Sequence, residues 1–194
     1  MPRRLPSKPV MIGLMLGLLP ARAGAEVPEF TIVPEKSALK FVATQNDAPV
    51  EGGFAKFYGA IAFNPARPEE CRIHVEVETG NVTTGYEEVA KTLPMRDWFD
   101  SPKFPRAVYD AAGCQVKEGD AKSFVAKGKL TIRDRSQLLD LPFSLTHYSA
   151  EAAGATGTVE LKRNAYGVGQ GDWADTGAVK DEVTISFTVE AVKK

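Results

Sequence analysis

The residues able to do chemistry in this chain are few and scattered. Its 194 residues hold two histidines, His74 and His147, and two cysteines, Cys71 and Cys114. A metal site takes three or four ligands at a readable spacing, and neither histidine belongs to such a cluster. No Gly-x-Ser-x-Gly elbow is present, and the cysteines lack the Cys-x-x-Cys spacing of a redox pair. Asp97 and Asp100 have the spacing of paired carboxylates. They flank Trp98 and Phe99 in a short turn, however, where Asp side chains cap backbone donors, and capping is the expected role. A hydrolase built on His147 would lack both a nucleophile and a metal set. The sequence therefore points to no catalysis and no cofactor of the catalytic kind.

What remains is apolar material and one misplaced cation. Pro94 to Pro105 packs Trp98, Phe99 and Phe104 into a stretch whose prolines, Pro94, Pro102 and Pro105, remove backbone donors and fix φ. This reads as a short rigid plug between strands. Its aromatics either seal the fold as ordinary core or line the mouth of an apolar pore as a gate. Val159 and Leu161 share a strand face with Arg163. If that face looks inward, the guanidinium must find partners, either an acidic residue at the end of the fold or the polar head of an amphiphilic ligand. Arg133, Asp134 and Arg135 read as a solvated turn. Gly167, Gly169, Gly171 and Gly177 make residues 167–177 a loop rather than a phosphate cradle, because no strand-turn-helix setting surrounds them. Trp173 sits in that loop as a candidate exposed anchor for a partner protein.

The elements that must position these residues are strands. Val183, Ile185, Phe187 and Val189 alternate with Thr184, Ser186, Thr188 and Glu190, and the same period of two marks residues 72–78, 123–133 and 156–163. Residues 29–44, 106–116 and 140–148 are further strand candidates. Residues 53–63 differ, being largely apolar on both faces, with Ala55, Phe57, Ile61 and Phe63 on one and Phe54, Tyr58, Ala60 and Ala62 on the other. Residues 64–68, 117–120 and 152–154 read as loops. The one helix signal is Thr84-Gly85-Tyr86-Glu87, a capping box in which Thr84 accepts from the Glu87 N–H. With residues 29–44 counted as one bent strand, the chain is all-β: eight antiparallel strands with one short helical insertion. Eight strands close into a barrel just wide enough for side chains or one small ligand, and a two-sheet sandwich is the competing arrangement.

The first 25 residues stand apart. Arg3, Arg4 and Lys8 precede an apolar run, Val10–Leu19, and Ala23-Gly24-Ala25 supplies a small-x-small cleavage site. Residues 1–25 are expected to be a secretory signal peptide and residues 26–194 a single domain. The leader holds four basic residues and no acid, so its loss takes the net charge from −1 to −5. An acidic domain without a basic cluster argues against nucleic acid. Export, to the periplasm on this reading, admits a disulfide. Cys71 opens one strand candidate and Cys114 closes the next, so antiparallel pairing would bring them to the same end; two buried free thiols are the alternative.

Taken in order, the motifs resemble those of the YceI-like family of exported, lipocalin-like proteins. The resemblance rests on Val50-Glu51-Gly52-Gly53-Phe54, Asp97-Trp98-Phe99-Asp100 followed by Phe104-Pro105, Gly128-Lys129-Leu130-Thr131-Ile132-Arg133 and Leu161-Lys162-Arg163-Asn164-Ala165-Tyr166-Gly167. It implies an eight-stranded lipocalin-like barrel whose pore takes the prenyl chain of an isoprenoid lipid, a quinone or a polyprenyl phosphate, with the head near the mouth. The ligand contacts expected on this reading are Phe41, Phe57, Ile61, Phe63, Leu130, Ile132, Phe143, Leu161 and Phe187. Trp98, Phe99, Phe104 and Arg163 are expected beside them. The Asn46–Val50 stretch is similar to a subgroup found with membrane cytochromes, which suggests such a protein as partner. Whether the chain forms a homodimer stays open.

Overall fold

The computed structural model describes residues 26–194. The expected signal peptide lies outside the described residues. Among the latter, eleven strand segments form one antiparallel sheet: β1 (Glu29–Ile32), β2 (Ala38–Gln45), β3 (Ala48–Phe54), β4 (Phe57–Ala62), β5 (Arg72–Glu78), β6 (Val82–Thr84), β7 (Arg106–Val116), β8 (Ser123–Ile132), β9 (Arg135–Tyr148), β10 (Ala152–Lys162) and β11 (Val179–Lys193). One short helix, α1 (Glu87–Thr92), follows β6.

The segments merge into eight strands. β11 pairs with β2 along Val183–Thr188 and with β1 along Ala191–Lys193, so β1 and β2 are two halves of one bent strand. In the same way β3 and β4 follow β2 and β1, and β6 and β5 follow β3 and β4. β7 to β11 then run up and down, and the β1–β11 pairing closes the barrel. The ladder between β9 and β10 is the shortest of the later ones. It joins Ala153–Thr156 to Ser144–Tyr148 and goes no further, and above it Arg135 and Gln137 reach the carbonyls of Asn164 and Ala165 instead.

Several sequence expectations need correction. Residues 53–63 are not one strand. The chain breaks at Ala55–Lys56, where the Ala55 N–H donates to the Asn81 carbonyl. The break shifts the alternation by one, so Phe54 and Phe57 both face inward and Tyr58 and Ala60 face out. That shift is why both faces looked apolar. Ala152, Ala153 and Gly154 open β10 rather than forming a loop. Thr84 ends β6, and its hydroxyl accepts from the Tyr86 N–H, not from Glu87, so α1 has no side-chain cap.

Two groups of buried side chains fill the ends. At the floor, Phe63 meets Phe124, Phe143 and Tyr148 at ring-centroid distances of 5.0, 5.6 and 6.2 Å. Phe30 and Phe124 are each 1% exposed, and burying such a ring stabilises the fold by about 2–3 kcal/mol. Cys71 and Cys114 form a disulfide beside this cluster, with Cα atoms 5.6 Å apart. Antiparallel pairing of β5 with β7 sets Arg72 opposite Ala112 and so brings the cysteines together. A bulge at Gly113, whose φ of 97° suits glycine, lets its N–H donate to the Cys71 carbonyl. At the other end Phe41, Leu93, Trp98, Tyr166, Val168 and Val179 form the second cluster.

Candidate functional site

Between the two clusters the barrel is not filled. An inner cavity of about 260 Å³ runs down the axis. Its wall comes from inward positions of nearly every strand: Phe30 and Ile32 from β1, Val75 and Val77 from β5, Tyr109 from β7, Val183 and Ile185 from β11. Almost all of the wall is hydrocarbon. Tyr109 turns its hydroxyl away, 3.2 Å from the carbonyls of Ala126 and Leu139, and burial pushes its phenol pKa up. A second cavity of about 820 Å³ opens above, between the β2–β3 hairpin, α1 and the glycine-rich loop. The hairpin turns at Asn46 and Asp47, with φ of 49° and 60°, the two positive values that a type I′ turn requires. Phe54, Phe99, Arg163, Val168, Val183 and Ile185 line both spaces, so the second cavity is the mouth of the first.

Ten of the thirteen expected contacts line the inner cavity. Phe57, Ile61, Leu130, Ile132, Leu161 and Phe187 form its sides, Phe63 and Phe143 its floor, and Phe99 and Arg163 its upper rim. Phe41 and Trp98 line the mouth. Phe104 lines neither. It lies beneath two cations, with Lys103 Nζ 5.0 Å and the Arg133 guanidinium carbon 5.7 Å from its ring centre. Sequence reasoning missed Phe54, Leu39 and Tyr109 as lining residues. The signal for Tyr109 was present, since Ala107, Tyr109 and Ala111 alternate along β7 and are all buried.

The plug, residues 94–105, is a series of tight turns. Phe99 N–H donates to Leu93 O, Ser101 N–H to Pro94 O and Phe104 N–H to Asp100 O. Thr79 anchors it from the break between β5 and β6, its hydroxyl donating to Phe104 O at 2.8 Å. The capping expected of the Asp side chains is done by the main chain. Asp100 adopts φ of 50°, and its carbonyl takes the Lys103 and Phe104 N–H groups. Arg133 is not merely solvated: its guanidinium donates to Trp98 O at 2.8 Å and Gly167 O at 2.6 Å, tying plug to loop.

Arg163 faces inward, 4% exposed, but its partners are not the acid expected. Six oxygens accept from it: the carbonyls of Val168, Gly169, Asp175, Val179 and Lys180, and Asn164 Oδ1. Burial lowers its pKa, and the nearby Asp181 and Asp175 work the other way. Arg163 therefore knots the glycine-rich loop into one shape. Gly169, at φ of 79°, passes so close to this guanidinium that any side chain there would collide with it. Trp173 is likewise no free anchor. It is half-buried against Trp98, with ring centroids 5.5 Å apart.

The histidines lie elsewhere. His74 is on the outer wall with Nδ1 2.7 Å from Asp110 Oδ1, and hydrogen bonding to that carboxylate raises its pKa above the usual 6.5. His147 sits 3.4 Å from Glu190, about half exposed. No group of three metal-binding side chains occurs among the described residues.

A crystal structure of Burkholderia cenocepacia BcnA matches with a TM-score of 0.76 at 27% identity, covering 82% of this chain and 98% of that one. A polyisoprenoid binding domain from Saccharophagus degradans has the same fold, with a TM-score of 0.66 at 11% identity over 85% of this chain and 98% of that one. A UPF0312 protein of Yersinia pestis is 25% identical over 94% of this chain and 96% of its own length. The YceI-like domain model matches residues 30–191, which span every strand of the barrel, and the chain belongs to that family.

Proposed function

We propose that this protein binds an isoprenoid lipid, holding the prenyl chain in the barrel and the polar head in the mouth, and carries it without chemical change. The observation that carries this reading is the inner cavity: long, lined by hydrocarbon from all sides, and continuous with a roomier polar-edged mouth. A preformed apolar pocket of this kind captures a flexible chain because each buried CH₂ contributes about 0.8 kcal/mol. The fold likeness to a polyisoprenoid binding domain supports the ligand class. The proposed ligand is a quinone or a polyprenyl phosphate. The leader expected over residues 1–25 supports a periplasmic site of action.

Two experiments test the reading. Titrating the purified protein with a prenyl lipid while following Trp98 and Trp173 fluorescence should give saturable binding at one site, and unsaturable partitioning would count against it. Cell fractionation should recover a periplasmic chain whose first residue is Glu26; an intact leader in the cytoplasm would refute the location.

A further inference from the structure

We infer that the mouth takes a neutral, hydrogen-bond-accepting head group, with the indole N–H of Trp98 as its donor, and disfavours an anionic head; this rests on the lipid-binding reading above. Trp98 lines the mouth and is 8% exposed, and its Nε1–H is buried with no acceptor among the described residues. Indole nitrogen is a donor only. A buried Trp normally finds a partner for it, so an orphan at the rim of a ligand cavity marks a position that the ligand completes. The neighbouring ring, with its centroid 5.5 Å away, belongs to Trp173, which lines the same mouth from a short 3₁₀ turn in the glycine-rich loop. On this inference an entering head group shifts the half-buried Trp173 ring and takes the indole N–H.

Charge then decides what the acceptor is. Among the described residues lining the mouth, Arg163 is the one cation, and six oxygens already hold its donors. The acids in the lining are Glu87 and Glu88. Glu87 pairs with the exposed Lys91 at 2.5 Å, and Glu88 forms no ion pair among the described residues. Phosphate recognition uses free Arg or Lys donors in a fork or cluster, and none is offered here. An uncharged carbonyl or phenol-type oxygen satisfies Trp98 without meeting the two carboxylates.

The test uses three ligands of equal prenyl chain on the full-length mature protein: a quinone, a prenyl monophosphate and the headless hydrocarbon. The quinone should bind tightest and the monophosphate weakest, with about a tenfold gap between those two. Trp98→Phe should bring the quinone down to the level of the hydrocarbon measured on the same variant, erasing the difference between the two. Glu87→Gln with Glu88→Gln should narrow the gap to the monophosphate. In the unmutated protein, quinone should also move the Trp98 indole proton resonance downfield, a readout independent of any variant's folding. A monophosphate that binds tighter than the quinone, or an indole resonance that does not move, overturns the inference while the hydrocarbon still binds. Failure of all three ligands to bind overturns the lipid reading and this inference with it.

Discussion

The rings of Phe54 and Phe99 meet edge to face, with centroids 5.7 Å apart, and both line the inner cavity and the mouth. One comes from the end of β3 and the other from the plug. Together they stand where the two spaces meet, on the path of the proposed lipid chain. Phe54→Ala removes one of the two rings from a partly buried position, so stability should fall by only about 2 kcal/mol, less than for a fully buried ring. Lipid exchange, followed by stopped-flow transfer to vesicles, should accelerate several-fold. Unchanged exchange would mean that the chain enters by another route.

Arg163 holds the loop that forms one side of the mouth. Arg163→Met preserves much of the volume but leaves its carbonyl partners at Val168 and Val179 unpaired in buried surroundings. Each orphaned group costs about 1–3 kcal/mol, so the variant should lose roughly 3 kcal/mol or more. Amide exchange along residues 167–177 should rise with it. If denaturant unfolding shows less than about 1 kcal/mol lost, the knot is not what shapes the loop.

The disulfide closes a separation of 43 residues between Cys71 and Cys114. Loop-closure entropy for that length corresponds to roughly 4 kcal/mol. Reduction should therefore lower the denaturation midpoint strongly, while Cys71→Ser with Cys114→Ser should respond to no reductant. A native chain that alkylates at both cysteines without reduction would contradict the bond.

His74 gives a pH signature. Its folded pKa is raised by Asp110 first, with Glu76 adding to it. A raised folded value means that the contribution is fully present below the unfolded pKa near 6.5 and is lost as pH rises through the folded value. The side chain is about half exposed, so solvent screening keeps the effect small. Melting temperature should decline slightly from pH 6 to 8, and His74→Gln should flatten that decline. An unaltered slope in the variant would assign the pH dependence to other groups.

The barrel was legible because alternation survives wherever one face meets hydrocarbon and the other meets water. β5, β8 and β11 show it, and so does the joining of β1 to β2 as one bent strand. What escaped the sequence were relations set by distant main-chain groups. Thr84 has the spacing of a helix cap, yet its hydroxyl lies at the end of β6, where it donates to Glu51 O. Arg133 looked like turn charge because nothing local reveals that Trp98 and Gly167 turn their carbonyls toward it. Trp173 looked exposed because a glycine-rich loop gives no periodic signal, and Arg163 is what folds that loop back onto Trp98. At the site, the apolar walls could be read from strand alternation, whereas Phe54 was assigned to the wrong face by the break at Ala55–Lys56.

The central claim is that the cavity between the Phe63 floor and the Trp98 mouth holds a prenyl chain. Its most direct test is purification from the native host under mild conditions, followed by organic extraction and lipid mass spectrometry. The account predicts one isoprenoid lipid per chain, retained through purification. A barrel that comes out empty, and that takes up no prenyl lipid afterwards, would contradict it.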